Sequence, residues 1–298
     1  SIFEYLMPGY LYSYKHFKES FEERIINKDE NDNAIARLQK MISPFMLRRL
    51  KKDVLKELPD KIEKVVYSGF EAEQDRLYRA VEKNMIDSLN KKSDREYKEN
   101  KLLILAELTK LRQICCDPSL IYENYRGSSA KLDTCIELIE SAVEGGHKLL
   151  LFSQFATMLK ILEERLKAKG IRTMTITGAT SKVKRRQLVE SFQEGNGDVF
   201  LISLKAGGTG LNLTAADMVI HYDPWWNVAA QNQATDRAHR IGQENNVTVI
   251  KLIAKNTIEE RILKLQEMKQ DLADKIISEE GAGIASMTKE ELLRLFAK

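Results

Sequence analysis

From residue 129 onward, short strand-like runs alternate with longer stretches whose apolar residues keep a helical spacing. The runs are Leu149–Phe152, Arg172–Ile176, Asp198–Ile202, Met218–Tyr222 and 247–253. Asp198–Ile202, apolar at nearly every position, predicts a strand buried on both faces, as in a parallel sheet. The stretches between them, 130–144, 154–168 and 181–194, predict helices, closed by Gly145-Gly146, Gly170 and Gly195. Strands alternating with helices of this length predict an α/β fold with right-handed crossovers. Upstream, residues 1–60 read as charged helices, broken at Pro8-Gly9, with Phe17, Phe21, Ile25 and Ile35, Leu38, Ile42 in register. Lys64–Tyr67 is a short strand candidate. Residues 71–90 and 101–115 are helical by pattern, and the polar run Asn90–Asn100 between them is expected to be exposed or mobile. Downstream, Thr257-x-x-Glu260 reads as a capping box opening an amphipathic helix with Ile258, Ile262, Leu265, Leu272 and Ile276. Gly281-Ala282-Gly283 breaks it, and 288–298 predicts one more short helix.

Composition narrows the class. The chain has 298 residues, 43% hydrophobic and 31% charged, enough for one large or two small globular domains. A net charge of only +3 means that any nucleic-acid binding relies on local patches. Cys115, Cys116 and Cys135 lack metal-ligand spacing and read as core or surface thiols of an intracellular protein. No signal peptide and no membrane-length apolar run is present. A start at Ser1 without methionine leads us to expect a fragment.

Two candidate sites follow consecutive strands. After Ile202 comes a loop with Lys205, Gly207, Gly208, Thr209 and Gly210. Glycines let backbone N–H groups approach a phosphate closely, and the lysine and threonine add a charge and a hydroxyl. A plain strand-to-helix turn is the alternative. After Tyr222, Asp223 is a plausible helix cap and Pro224 a first helical residue. Gln233, Arg237 and Arg240 would then share one helical face beside Ala234, Ala238 and Ile241. Such a face is either solvated or presents guanidinium groups to an anion. Asp236-Arg237-Ala238-His239 has the form of an acidic helicase box, but it follows a polar run, so it is read as the middle of this arginine helix.

The run GTGLNLTAADMVIHYDPWWN with QATDRAHRIGQ resembles motifs V and VI of the SWI/SNF family of DNA-translocating ATPases in helicase superfamily two. Further matches are Leu47-Arg48-Arg49, Leu58-Pro59-Asp60-Lys61, Gln74-x-x-Leu77-Tyr78, LRQICCDPSL (Leu111–Leu120), Lys131-Leu132 and KLLLFSQF (Lys148–Phe155). The resemblance implies a RecA-like parallel sheet with helices on both faces, an N-terminal helical protrusion and a C-terminal brace helix. It divides the chain into 1–128 (protrusion and linker), 129–255 (lobe) and 256–298 (brace). It places Arg240 as an arginine finger supported by Arg237, with Gln233, Gly208 and Gly210 at the nucleotide. The basic cluster Leu47–Lys52 would sit near nucleotide or DNA; a solvated face or an import signal are the alternatives.

DNA-phosphate candidates lie at the strand ends: Ser153 and Gln154, Thr177 backed by Lys184 and Arg185, then Lys205 and Thr209. Trp225 and Trp226, the only tryptophans, cannot both point one way, so one is expected in the core and the other near a cleft. No Gly-x-x-x-x-Gly-Lys-Ser/Thr loop occurs. The resemblance therefore implies the second lobe of a motor, inactive alone, using ATP with Mg held mainly by a missing N-terminal RecA-like lobe. Its other expected partners are double-stranded DNA and a nucleoprotein or RNA polymerase target. No membrane is expected, and the setting is bacterial cytoplasm and nucleoid or eukaryotic nucleus. The competing class is a non-catalytic scaffold lobe binding DNA or a partner.

Overall fold

Six strands, β1 (Lys61–Ser68), β2 (Leu149–Ser153), β3 (Thr173–Ile176), β4 (Val199–Ser203), β5 (Met218–His221) and β6 (Val247–Ala254), form one sheet in the order β1-β6-β5-β2-β4-β3. Every pairing is parallel. The computed structural model describes residues 2–22, 24, 33–45, 58–204, 206, 211–275 and 288–296. Residues 1–56 with 268–279 form one unit, and 57–267 with 280–298 a second.

The sheet explains the apolar runs. Successive side chains of a strand point to opposite faces. Leu149, Leu151, Val199, Leu201, Ile220, Ile250 and Leu252 pack on one face with the helices Ala130–Glu144 and Ala156–Ala168. Leu150, Phe152, Phe200, Ile202, Val219, Val247 and Val249 pack on the other, with Phe192 of helix Lys182–Gln193 and Ala234 of helix Val228–Thr235. Each such side chain contributes roughly 1.5–3 kcal/mol by leaving water.

The strand candidate at Lys64–Tyr67 extends over Lys61–Ser68 and pairs with β6 from Lys61↔Val247 to Ser68↔Ala254. The sheet therefore draws its edge strand from a part of the chain well before residue 129. Helices Ala72–Lys91 and Lys101–Cys116 build a third cluster with Ile258 and Ile262 of helix Ile258–Lys275 and with Leu292 and Phe296. One expectation changes here and two become definite. The Asn90–Asn100 run is mostly exposed, as expected, and carries helix Asp94–Glu99, opened by a capping box between Ser93 and Glu96 and anchored by buried Tyr97. Thr257 does not close a capping box: its hydroxyl donates to Ala254 O (2.7 Å) and accepts from Glu259 N (3.2 Å), while Glu260 accepts from Asn256 N (2.8 Å). All three cysteines lie in the core.

In the first unit, Phe21, Ala34, Leu38 and Ile42 are buried together, with Phe3, Leu11, Phe17 and Met41 against them. Ser13 caps helix Tyr14–Phe17. Leu47–Lys52, Ile25 and Gly281–Gly283 lie outside the described residues.

Candidate functional site

The connections reverse direction at β2. From β2 the chain crosses to β3 and returns to β4 on one side, then passes to β5 and β6 on the other. In open parallel sheets, the crevice at the carboxyl ends beside such a reversal is where ligands bind. Its rim here consists of the turns after β2, β4 and β5.

The turns after β2 and β5 are tied together by charge. Asp223 follows β5 and is fully buried. Its Oδ1 accepts from Ser153 Oγ (2.5 Å) and Gln154 N (3.2 Å), so it braces the turn after β2. Arg112, 4% exposed, reaches in from helix Lys101–Cys116. It donates to Gln154 Oε1 (2.9 Å) and Pro224 O (2.5 Å), pairs with Asp223 at 3.6 Å, and stacks over Trp226 and Phe155. A buried charge is tolerated when paired and hydrogen-bonded in this way. A second buried pair lies nearby. Lys131 donates to Glu259 Oε2 and to Tyr222 O (3.1 Å). Burial works to lower the Lys131 ammonium, but Glu259 holds it above its ordinary value.

Ser153 is buried and gives its hydroxyl to Asp223, so its side chain belongs to the brace of this rim. One expectation fails here. Asp223 does not cap a helix; helix Val228–Thr235 starts later, capped by Asn227, whose side chain accepts from Ala230 N at 3.1 Å. Trp225 and Trp226 are both half-buried, so neither is the fully buried tryptophan expected of the pair. Gln231 and Gln266 hold the Trp225 backbone.

Gln233, Arg237 and Arg240 do not share one continuous helix. The helix ends at Thr235, and 236–241 is a chain of tight turns, with Arg237 N on Ala234 O (3.2 Å) and Arg240 N on Ala238 O (3.1 Å). Ala234 and Ala238 are buried as expected, but Ile241 is 69% exposed. Gln233 and Arg240 are exposed, whereas Arg237 is 7% exposed, and its Nε is buried without a hydrogen-bond partner. Burial pushes the Arg237 guanidinium below its ordinary pKa and Arg240 pushes the same way, against Asp236. The turn chain is anchored at its middle and just past its end. His239 Nε2 bonds Pro59 O (2.8 Å), and the Gln243 amide is buried among backbone carbonyls.

On the other side of the crevice, Thr177 N donates to Thr180 Oγ1 (3.0 Å) and Ser181 caps helix Lys182–Gln193. Lys184 is exposed on that helix. Arg185 turns inward and donates to Ala206 O (3.2 Å), across from the loop after β4. Lys205, Gly208, Thr209 and Gly210 lie outside the described residues.

Residues 1–120 match the SNF2-related domain family, and residues 130–242 match the helicase conserved C-terminal domain family. A curated relative from Mycoplasma pneumoniae, an uncharacterized ATP-dependent helicase by name, is 40% identical over 300 residues. That match covers 99% of this chain and 28% of the relative, so the chain spans under a third of the relative's length. The solved Sulfolobus solfataricus SWI2/SNF2 ATPase C-terminal domain is 32% identical, with a TM-score of 0.64, and the match covers 79% of this chain and 98% of that one. The chain belongs to the SWI2/SNF2 ATPase family. It is the C-terminal part of a SNF2-family ATPase core, and its six-stranded parallel sheet is the RecA-like fold of that core. The Sulfolobus solfataricus SWI2/SNF2 ATPase core in complex with dsDNA is 36% identical, with a TM-score of 0.67, covering 98% of this chain and 62% of that one.

Sequence reasoning on the SNF2 chain missed Arg112, His239 and Gln243 as structural agents, although each stood inside a quoted motif. Nothing in local spacing singles them out. Their partners are distant in sequence, as with Arg112 and Pro224, 112 residues apart.

Proposed function

We propose that this chain is the second motor lobe of an ATP-dependent double-stranded DNA translocase. In this reading its arginine turn completes a nucleotide site whose phosphate loop and magnesium ligands lie on another RecA-like lobe. The supporting observation is the state of Arg237 and Arg240: adjacent cations on a braced turn, one of them buried with an unpartnered Nε. A phosphate would supply both the missing acceptor and the opposite charge. ATP supplies a γ-phosphoryl group whose transition-state charge spreads over its oxygens, and a positioned guanidinium stabilises that charge. Arg240, exposed, is assigned as the finger; Arg237 supports it, and Gln233, Gly208 and Gly210 line the nucleotide side. In this reading Mg is held mainly by the other lobe.

On the DNA side the proposed phosphate contacts are Gln154, Thr177, Lys184, Lys205 and Thr209. Arg185 serves there by holding the loop after β4. The solved relative that holds dsDNA supports duplex DNA as the partner. Backbone-directed contacts of this kind are independent of base sequence and sensitive to salt. The N-terminal residues act as a protrusion and the C-terminal helices as a brace, the target being a nucleoprotein complex or RNA polymerase in a DNA-associated setting.

The test is Arg240→Ala in the two-lobed enzyme. Single-turnover hydrolysis should fall roughly 10³-fold or more, and Arg240→Lys should rescue little, because an ammonium lacks the planar fork. Nucleotide-free affinity for duplex DNA should hold. Near-normal turnover by Arg240→Ala, or an equal loss in Asp236→Ala, would assign Arg240 to pairing with Asp236 instead.

A further inference from the structure

The lead-in to β1 carries Leu58-Pro59-Asp60-Lys61, a segment that the motor reading leaves without a task. Proline has no backbone N–H, so Pro59 cannot donate to the sheet, but its carbonyl still accepts. Its neighbour Asp60 is held by the start of β6: Asp60 N donates to Asn246 Oδ1 (3.1 Å), and Asp60 O accepts from Val247 N (2.9 Å). The Pro59 carbonyl goes to the arginine turn instead, where His239 Nε2 lies 2.8 Å from it. A carbonyl only accepts, so Nε2 carries the hydrogen of this bond. Both residues are half-buried.

His239 directly precedes Arg240. Past the end of helix Val228–Thr235 the backbone bonds close shorter loops: Ala238 N reaches Thr235 O (3.1 Å), and Arg240 N reaches only Ala238 O (3.1 Å). Bonds this local shape the turn without fixing where it sits on the sheet. Its seat comes from elsewhere. Leu213 N donates to Arg237 O (3.0 Å), and buried Gln243 donates to Ala238 O (3.1 Å), which holds the Arg237 half. Of the two residues between the arginines, Ala238 is buried in the core and His239 reaches across to Pro59. Arg240 is exposed, so the aim of its long side chain depends on where its backbone is held. We propose that His239 is the positioning residue for Arg240, seating it against the strand end at Pro59-Asp60. This rests on the motor reading above, in which Arg240 acts on ATP. It gives the 58–61 segment a task, as an anchor point that the sheet itself holds through Asp60.

The experiment measures single-turnover ATP hydrolysis by the two-lobed enzyme with duplex DNA, in wild type, His239→Leu, His239→Gln and His239→Asn. Leucine removes the donor. The amide nitrogen of glutamine reaches about as far from the backbone as imidazole Nε2, whereas that of asparagine stops near Nδ1. His239→Leu should slow hydrolysis about 30-fold, within the roughly 10²-fold that a 1 Å misplacement costs. The ATP concentration for half-maximal rate and the duplex-DNA affinity should move less than about threefold. His239→Gln should return to within about fivefold of wild type, and His239→Asn should stay with His239→Leu. A double variant separates positioning from a general loss of structure. His239→Leu placed on Arg240→Ala should cost less than about threefold more, because the group to be positioned is gone. Near-wild-type turnover in His239→Leu, equal losses in His239→Leu and His239→Gln, or a further loss of full size on Arg240→Ala would overturn the assignment. Near-wild-type turnover in Arg240→Ala alone would instead overturn the motor reading.

Discussion

Arg112 holds its charge where water scarcely reaches, and every group around it follows from that. The guanidinium has no acceptor, so Gln154 must turn its carbonyl oxygen toward it, and Asp223 supplies the counter-charge. Removing one member of a buried pair leaves the other uncompensated, at a cost of about 3–5 kcal/mol. Arg112→Met should therefore lower stability by that order in urea unfolding. Asp223→Asn added to it should recover part of the loss, since the orphaned charge is gone. A loss below about 1 kcal/mol in Arg112→Met would mean that the pair does not brace the rim. The periodicity of residues 101–115 predicts a helix and a buried face, but not that an arginine occupies that face. That choice is made by the turns after β2 and β5, which local sequence does not place beside it.

At the scale of elements, the strands and the long helices were legible because their apolar period is imposed by burial on both faces of one sheet. The helix Ala130–Glu144 matches its expected bounds, and β2 and β4 differ from theirs by a residue or so. Expectations failed where a polar group found a partner other than the one its motif implies. Asp223 abandons a cap for the distant Ser153 and Gln154, and Thr257 bonds backward to the local Ala254 carbonyl. The arginine segment leaves the helix after Thr235, so Arg237 and Arg240 are placed by turns rather than on the helical face that carries Gln233.

β5 carries a pH-sensitive element of its own. His221 is buried, bonds Thr235 Oγ1 (2.9 Å) through Nε2 and stacks on Phe152. Burial, aided by Lys251, lowers its pKa from 6.5 to about 3. Below pH 6.5 the unfolded chain takes a proton that the folded chain refuses, so stability falls as the pH drops from there toward 3. The His221 contribution to this loss should be about 2 kcal/mol between pH 7 and pH 5. His221→Gln should flatten the urea midpoint over that range relative to wild type. Equal pH dependence in both proteins would show that His221 is not the titrating group.

At the scale of the whole molecule, family and fold were readable from motif order, since SNF2 segments recur from Leu47 to Gln243. The placement of the edge strand was not readable, because β1 is separated from its neighbour β6 by most of the chain. What such a lobe does depends on what it lacks. It offers two arginines on a braced turn but no phosphate-binding Gly-Lys-Ser/Thr loop in its sequence. If it completes an ATPase site rather than containing one, purified residues 1–298 should show no DNA-stimulated ATP hydrolysis above background. The same preparation should gain it when the first RecA-like lobe is supplied, linked or in trans, with duplex DNA present. Robust DNA-stimulated turnover by residues 1–298 alone would contradict this division of labour.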